Sequence, residues 1–398
     1  MAQAYAIAQD AHACTGANLR LCMSADIASS VGVAELRWLR LQALVASFGG
    51  VAASLEGVLR LAWGFLDDTG LIAVAKRSDV CFVDAAIGCQ RGAAVVPAHG
   101  VVCLRFSACG RRLASGGDEG LRIAAVDGVC VATRGDHLRS LAWSKCGSRI
   151  AAGGYQGRLY CVEASSGKVL FEVPHANVIR MVAWRPDGAQ LATVGAEGKL
   201  RILDAAEGRV EQLVRLGIEV ALCVDWSPCG RWVVTGSDDH LLRIIHAETG
   251  RLEQEICTGG WVELALWRPR RLPDDAAGVL AVASDDNKLR LVLADSGEIF
   301  STVTHGSRLR CMDWSPGGQL VATGCDDQRL RVCHGDTGRV LADTWHESPV
   351  SALAWSPSGC KVATASDDGV LRIIDAVTGR VESLCNFQGP LTALAWGA

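Results

Sequence analysis

The sequence predicts an all-β protein, a ring of four-stranded blades, and three observations carry that prediction. A tryptophan ending a short apolar stretch returns with a period near forty residues. Each period divides into short alternating segments separated by Pro, Gly and Asp turn signals. The composition, 49% hydrophobic and 21% charged over 398 residues, supplies a buried core for every unit and argues against disorder.

Taken in order, the marker reads VLRLAW from Val58, LRSLAW from Leu138, VAW from Val182, VDW from Val224, LALW from Leu264, MDW from Met312, and LAW from Leu353 and again from Leu394. From Trp143 the gaps to Trp184, Trp226, Trp267, Trp314, Trp355 and Trp396 are 41, 42, 41, 47, 41 and 41 residues, with Phe106 filling the slot between Trp63 and Trp143. The unit that starts at His346 shows what one period contains. Val350, Leu353 and Trp355 suit an inner strand, Pro357 and Gly359 a turn, and Val362 to Ser366 a second strand. Asp368 and Gly369 reverse the chain into VLRII, and Thr378 and Gly379 lead to an edge strand. Such units, stacked around an axis, make a β-propeller.

Units are expected at about 54–98, 99–134, 135–174, 175–215, 216–257, 258–303, 304–345 and 346–386, with a partial one at 387–398. Nine inner strands can be counted, so the ring should hold eight or nine blades. Residues 1–53 carry apolar stretches that could complete the closing blade, because propellers close to remove free edges. Ending two residues beyond Trp396 also fits a piece of a longer chain with a second propeller.

WRPDGAQLATVGAEGKLRILDAAEG from Trp184, WSPCGRWVVTGSDDHLLRIIHAETG from Trp226 and WSPGGQLVATGCDDQRLRVCHGDTG from Trp314 follow one slot pattern. That pattern resembles the WD40-repeat family over roughly residues 54 to 396. The resemblance implies a β-propeller that holds other macromolecules, with a hydrogen-bonded set tying each blade together. Candidates for the set are His175, Thr193 and Glu197; His305, Thr323 and Asp327; and His346, Thr364 and Asp368. The family's fourth member, a third-strand Trp, is replaced by Val83, Val162, Leu203, Ile245, Val292, Cys333 or Ile374. Aliphatic burial should stand in for the indole bond. The third-strand arginines Arg201, Arg243, Arg290, Arg331 and Arg372 read as packing residues whose stems cover apolar surface. A His, Thr and Asp set could be mistaken for a catalytic triad, but its return in successive units marks it as structural.

The resemblance also implies that the loops before the inner strands and the turns between second and third strands share the narrower face, the usual partner site. There Asp238, Asp285, Asp326 and Asp367 form an arc of carboxylates suited to a basic peptide, although Asp is also a common turn former. Arg139, Arg180 and Arg310 share one inner-strand slot and could balance the arc, contact an acidic group or bridge neighbouring blades. Tyr155 takes the Asp slot of its own unit and is a candidate hot spot. On the opposite face the insertion after Trp267, with Arg268, Arg270, Arg271, Asp274 and Asp275, is a candidate second contact. Cys109, Cys146 and Cys229 occupy equivalent turns and should not converge on a metal.

The expected function is therefore a non-catalytic scaffold that binds proteins or peptides, basic ones among them. No catalytic residue, metal or cofactor is assigned. With 39 Lys+Arg against 43 Asp+Glu, no overall positive field exists to attract nucleic acid or an anionic membrane. Seventeen cysteines without a C-x-x-C pair point to a reducing, intracellular compartment, cytoplasmic or nuclear. Two rivals stand beside the scaffold: a reader of basic peptide tails, and a small-molecule binder or enzyme that uses the central channel. The last requires polar groups of non-repeated type converging in the channel.

Overall fold

The structure, a computed structural model, describes residues 70–76, 79–97, 100–125, 130–132, 137–217, 219–269 and 278–397. They form eight antiparallel four-stranded sheets. Seven of these are consecutive in the chain: blades 2 to 8 span 101–132, 138–174, 179–215, 221–257, 262–304, 309–345 and 350–386. Blade 1 is composite. Its three outer strands are Leu71–Ala75, Asp79–Asp84 and Gln90–Pro97, and its inner strand is Ala393–Trp396, paired in the register Ile72 to Trp396 and Ala75 to Ala393.

Every inner strand packs on those of the blades before and after it, and the Ala393–Trp396 strand touches both blade 8 and blade 2. The ring thus closes at eight, which corrects the nine-bladed alternative. The strand around Trp396 does not begin a ninth unit but completes the unit that starts at Leu71. The stretch 1–53, expected to supply closing strands, and the inner strand read at 58–63 lie outside the described residues. Among the described residues no helix is long and apolar enough to cross a membrane.

Burial explains the strand chemistry. Second strands such as Lys361–Ser366 and Leu320–Cys325 sit mid-blade with both faces covered, so they read as runs of small and β-branched residues. Outer strands such as Val169–Pro174 and Val381–Asn386 alternate between half-buried and exposed, as an edge with one covered face should. The core lies between blades: Ala192, Val194 and Ile202 of blade 4 pack with Ala221, Trp226 and Ile245 of blade 5. The turn between second and third strands needs a left-handed residue, which is Gly369 (φ 79°) in blade 8 but Gln328 (φ 66°) in blade 7. The bend aims the carbonyl of this residue at the N–H of the His slot, as in His346 N–H to Gln328 O at 2.8 Å.

Candidate functional site

Three blades are tied internally next to the turns between their second and third strands. His175 Nε2 meets Thr193 Oγ1 at 2.8 Å, His305 meets Thr323 at 2.9 Å and His346 meets Thr364 at 2.9 Å. Nδ1 of His346 lies 3.2 Å from the Thr344 carbonyl and must be the protonated nitrogen, so Nε2 accepts the threonine hydroxyl. Burial, reinforced by Arg201, Arg331 and Arg372 respectively, holds these imidazoles down to about 4 and therefore neutral.

The turn acid of each set is held by the third-strand arginine four residues on: Glu197 by Arg201 at 3.0 Å, Asp239 by Arg243 at 2.6 Å, Asp327 by Arg331 at 2.7 Å and Asp368 by Arg372 at 2.8 Å. Asp286 and Arg290 form the same pair; burial works against ionisation of Asp286, but hydrogen bonds from Arg290 and Ser284 outweigh it and hold the carboxyl at about 2. This corrects the reading of these arginines as packing residues alone. The aliphatic slot is buried as expected, with Leu203, Ile245, Val292 and Ile374 fully covered.

The displaced tryptophans bind between blades. The indole N–H at the end of one inner strand donates to a carbonyl of the preceding inner strand: Trp143 to Arg105 at 2.9 Å, Trp184 to Ala142 at 2.9 Å, Trp226 to Ala183 at 3.2 Å, Trp314 to Leu266 at 3.2 Å and Trp355 to Asp313 at 3.1 Å. Trp267 and Trp396 have no such partner among the described residues. Arg268 lies over Trp314, its Cζ 5.7 Å from the ring, and binds Asp336 at 2.6 Å. It is thus committed to the seam with blade 7; 270–277, the rest of the proposed second contact, lie outside the described residues.

On the face that carries the Asp slots, N–H groups of the turns bond to carbonyls of the loops before the inner strands, as in Asp285 to Trp261, Asp326 to Arg308 and Tyr155 to His137. The face is therefore a stiff rim. Arg310 pairs with Asp326 of its own blade and with Asp367 of blade 8, the latter at 2.9 Å. Asp285 accepts the backbone N–H of Trp261 at 2.6 Å. Arg308 binds Glu263 of blade 6 at 2.8 Å, and this bond raises the arginine pKa. Arg139 donates to the Tyr155 hydroxyl at 2.9 Å. Arg180 has no hydrogen bond or ion pair among the described residues, and its Nε is buried without a partner.

Three features of this face escaped the sequence reading. Asp118 occupies the same slot in blade 2, 3.3 Å from His137. Trp261 is 48% exposed beside Asp285, joining Tyr155, the aromatic already read from the sequence, which is 54% exposed. Trp345, also exposed, ends the outer strand of blade 7.

The channel holds a second set. One residue before the inner-strand tryptophan, most blades carry Ala or Leu, but blades 5 and 7 carry Asp225 and Asp313, and blade 2 carries Arg105 in the matching slot before Phe106. Asp225 accepts the N–H of Trp226 at 2.9 Å and of Trp267, on the next blade, at 2.8 Å. Burial pushes its carboxyl up to about 7, with the Asp313 charge adding to it. Asp313 is solvent-exposed on its strand, yet the protein packed around it raises its carboxyl to about 6 against the pull of Arg105, three blades away around the ring. These are polar groups of non-repeated type, which the sequence reading had not located.

On the opposite face Cys109, Cys146 and Cys229 each lie 3.3 to 3.4 Å from a serine hydroxyl of their own turn. Hydrogen bonds from Ser144 and Ser148 lower Cys146 to about 7. A cavity of about 800 Å³ opens there between blades 5 and 6, lined by Trp232, Trp267 and Gln254 among others. Among the described residues no three His, Cys, Asp or Glu side chains converge as a metal site requires.

Comparison with known families agrees with this geometry. A family described as "Anaphase-promoting complex subunit 4 WD40 domain" matches residues 174–227, 275–349 and 312–398, and one described as "WD domain, G-beta repeat" matches 93–123 and 218–246. No curated protein matches the chain.

Proposed function

Because the chain belongs to the WD40-repeat family, we propose that it is a non-catalytic interaction scaffold that takes a partner protein or peptide across the mouth of its narrow face. The observation that carries this reading is the pair of exposed aromatics, Tyr155 and Trp261, set in a rim whose backbone is hydrogen-bonded from turn to loop. Aromatic side chains on a rigid frame offer large contact area at little entropic cost. Asp238, Asp285, Asp326 and Asp367 lie along blades 5 to 8 of the same face and favour a basic partner segment. Arg310 tempers this arc by pairing with two of them. Free thiols throughout the described residues support a reducing, intracellular compartment.

Affinity purification with W261A and with Asp238, Asp285, Asp326 and Asp367 changed to Lys tests the reading. Loss of co-purifying proteins is the expected result, and unchanged recovery from both variants would sink it. A second reading, a channel ligand, is favoured by Arg105, Asp225 and Asp313. It predicts that R105A abolishes a small-molecule thermal shift that W261A leaves intact.

A further inference from the structure

The opposite side of the same mouth has a different chemistry. Arg139 and Arg180 occupy equivalent slots on the neighbouring inner strands of blades 3 and 4. A guanidinium stays protonated, so each carries a full charge that a partly buried site must balance. Among the described residues neither has a carboxylate partner within ion-pair distance. Arg139 donates to the hydroxyl of Tyr155, which is neutral, and its Cζ lies 5.9 Å from that ring. Arg180 has no partner at all among the described residues, and its Nε is shielded from solvent. Its pKa is lowered by burial first and then by the charge of Arg139, while Tyr155 and Asp238 oppose the shift. The contrast with the third-strand arginines, each closed by an acid four residues away, is sharp.

We propose that Arg139, Arg180 and Tyr155 form a binding site for a phosphate dianion presented at the narrow face. Two adjacent guanidinium groups match the charge of a phosphate monoester, about −1.5 to −2 at neutral pH, better than that of one carboxylate. Their planar forks suit its oxygens. The Tyr155 hydroxyl accepts from Arg139 and keeps its own proton to donate to the ligand. Asp238 of blade 5 limits the site, because its charge acts on Arg180 and repels an anion. The inference rests on the narrow face being the binding face, but not on any particular partner.

The test is a titration of inorganic phosphate into the full chain, read on the Nε–H resonances of isotope-labelled arginine, with Arg139 and Arg180 assigned by R139K and R180K. Saturable shifts at both residues are expected, absent with chloride at equal ionic strength. R180Q should weaken phosphate binding about tenfold, the loss of one charge-assisted contact. D238N should strengthen it about threefold by removing a nearby like charge. Where R180Q does not fold, R139Q carries the same expectation. A shift that never saturates, or that chloride reproduces, overturns the site. A phosphoserine heptapeptide then identifies the source. Tighter binding than inorganic phosphate assigns the site to a partner's modified side chain, and equal affinity assigns it to a free phosphate compound. Charge reversal at the Asp arc bears on partner capture alone, so the two readings fail separately.

Discussion

Arg310 joins two carboxylates that belong to different blades, meeting Asp367 of blade 8 at 2.9 Å while it also pairs with Asp326 of its own. The bridge is at once a link between blades and a lid on the negative potential of the rim. R310Q should therefore separate the two effects. Stability should fall by less than about 1 kcal/mol, as for other exposed ion pairs. Binding of an oligolysine peptide, measured by calorimetry, should strengthen. Weaker or unchanged oligolysine binding would count against the acidic arc as a recognition surface.

The indole bond between blades invites a second substitution. W184F removes the donor that reaches Ala142 O and leaves that carbonyl without it. A loss of about 1 to 2 kcal/mol is expected, read as a lower urea midpoint. Phe106 already holds the equivalent slot in blade 2, so the ring tolerates the change once. Equal midpoints for W184F and the parent chain would show that the indole contributes only its apolar area.

Acid should weaken the blades through their histidines. His175, His305 and His346 are held at about 4 in the fold against 6.5 when free. A depressed folded pKa means that the stability they contribute is complete above 6.5 and is lost as the pH falls toward 4. Thermal midpoints should drop across that window, and H346Q should flatten the curve. A parent curve level from about pH 7 to about pH 4 would contradict neutral imidazoles in the blades.

Asp313 works in the opposite sense. Its folded pKa of about 6 stands above the free value of 3.8, so its contribution is complete below 3.8 and disappears as the pH rises through 6. D313N keeps an oxygen for the Trp314 N–H and never ionises. Its thermal midpoint should rise relative to the parent between about pH 4 and about pH 6. A constant difference across that range would mean that the channel does not penalise the charge.

The repeat could be read from the sequence because a buried tryptophan near every forty residues is a strong local signal. The ring closure could not, since pairing Leu71–Ala75 with Ala393–Trp396 is a contact between distant parts of the chain that no local pattern encodes. Asp118 escaped because blade 2 turns tightly, pairing Gly117 with Gly120, which shifts its spacing to the following arginine. The acid and arginine four residues apart were visible as a spacing, but strand chemistry alone gave no reason to pair them. Arg105, Asp225 and Asp313 each look ordinary within their own strands, and only the ring arrangement of those strands lets their charges act on one another. Exposure of Trp261 likewise depends on the loop that carries it.

The composite blade has a consequence for how the protein is made. The Leu71–Ala75 strand is synthesised more than three hundred residues before its inner neighbour, Ala393–Trp396. During that interval seven blades can assemble while the eighth exposes an unpaired edge, the kind of surface on which chains join one another. A nascent chain halted before Ala393 would be almost fully folded and still open to dimerisation by strand exchange. The four residues Ala393–Trp396 thus supply the last pairing that removes this edge.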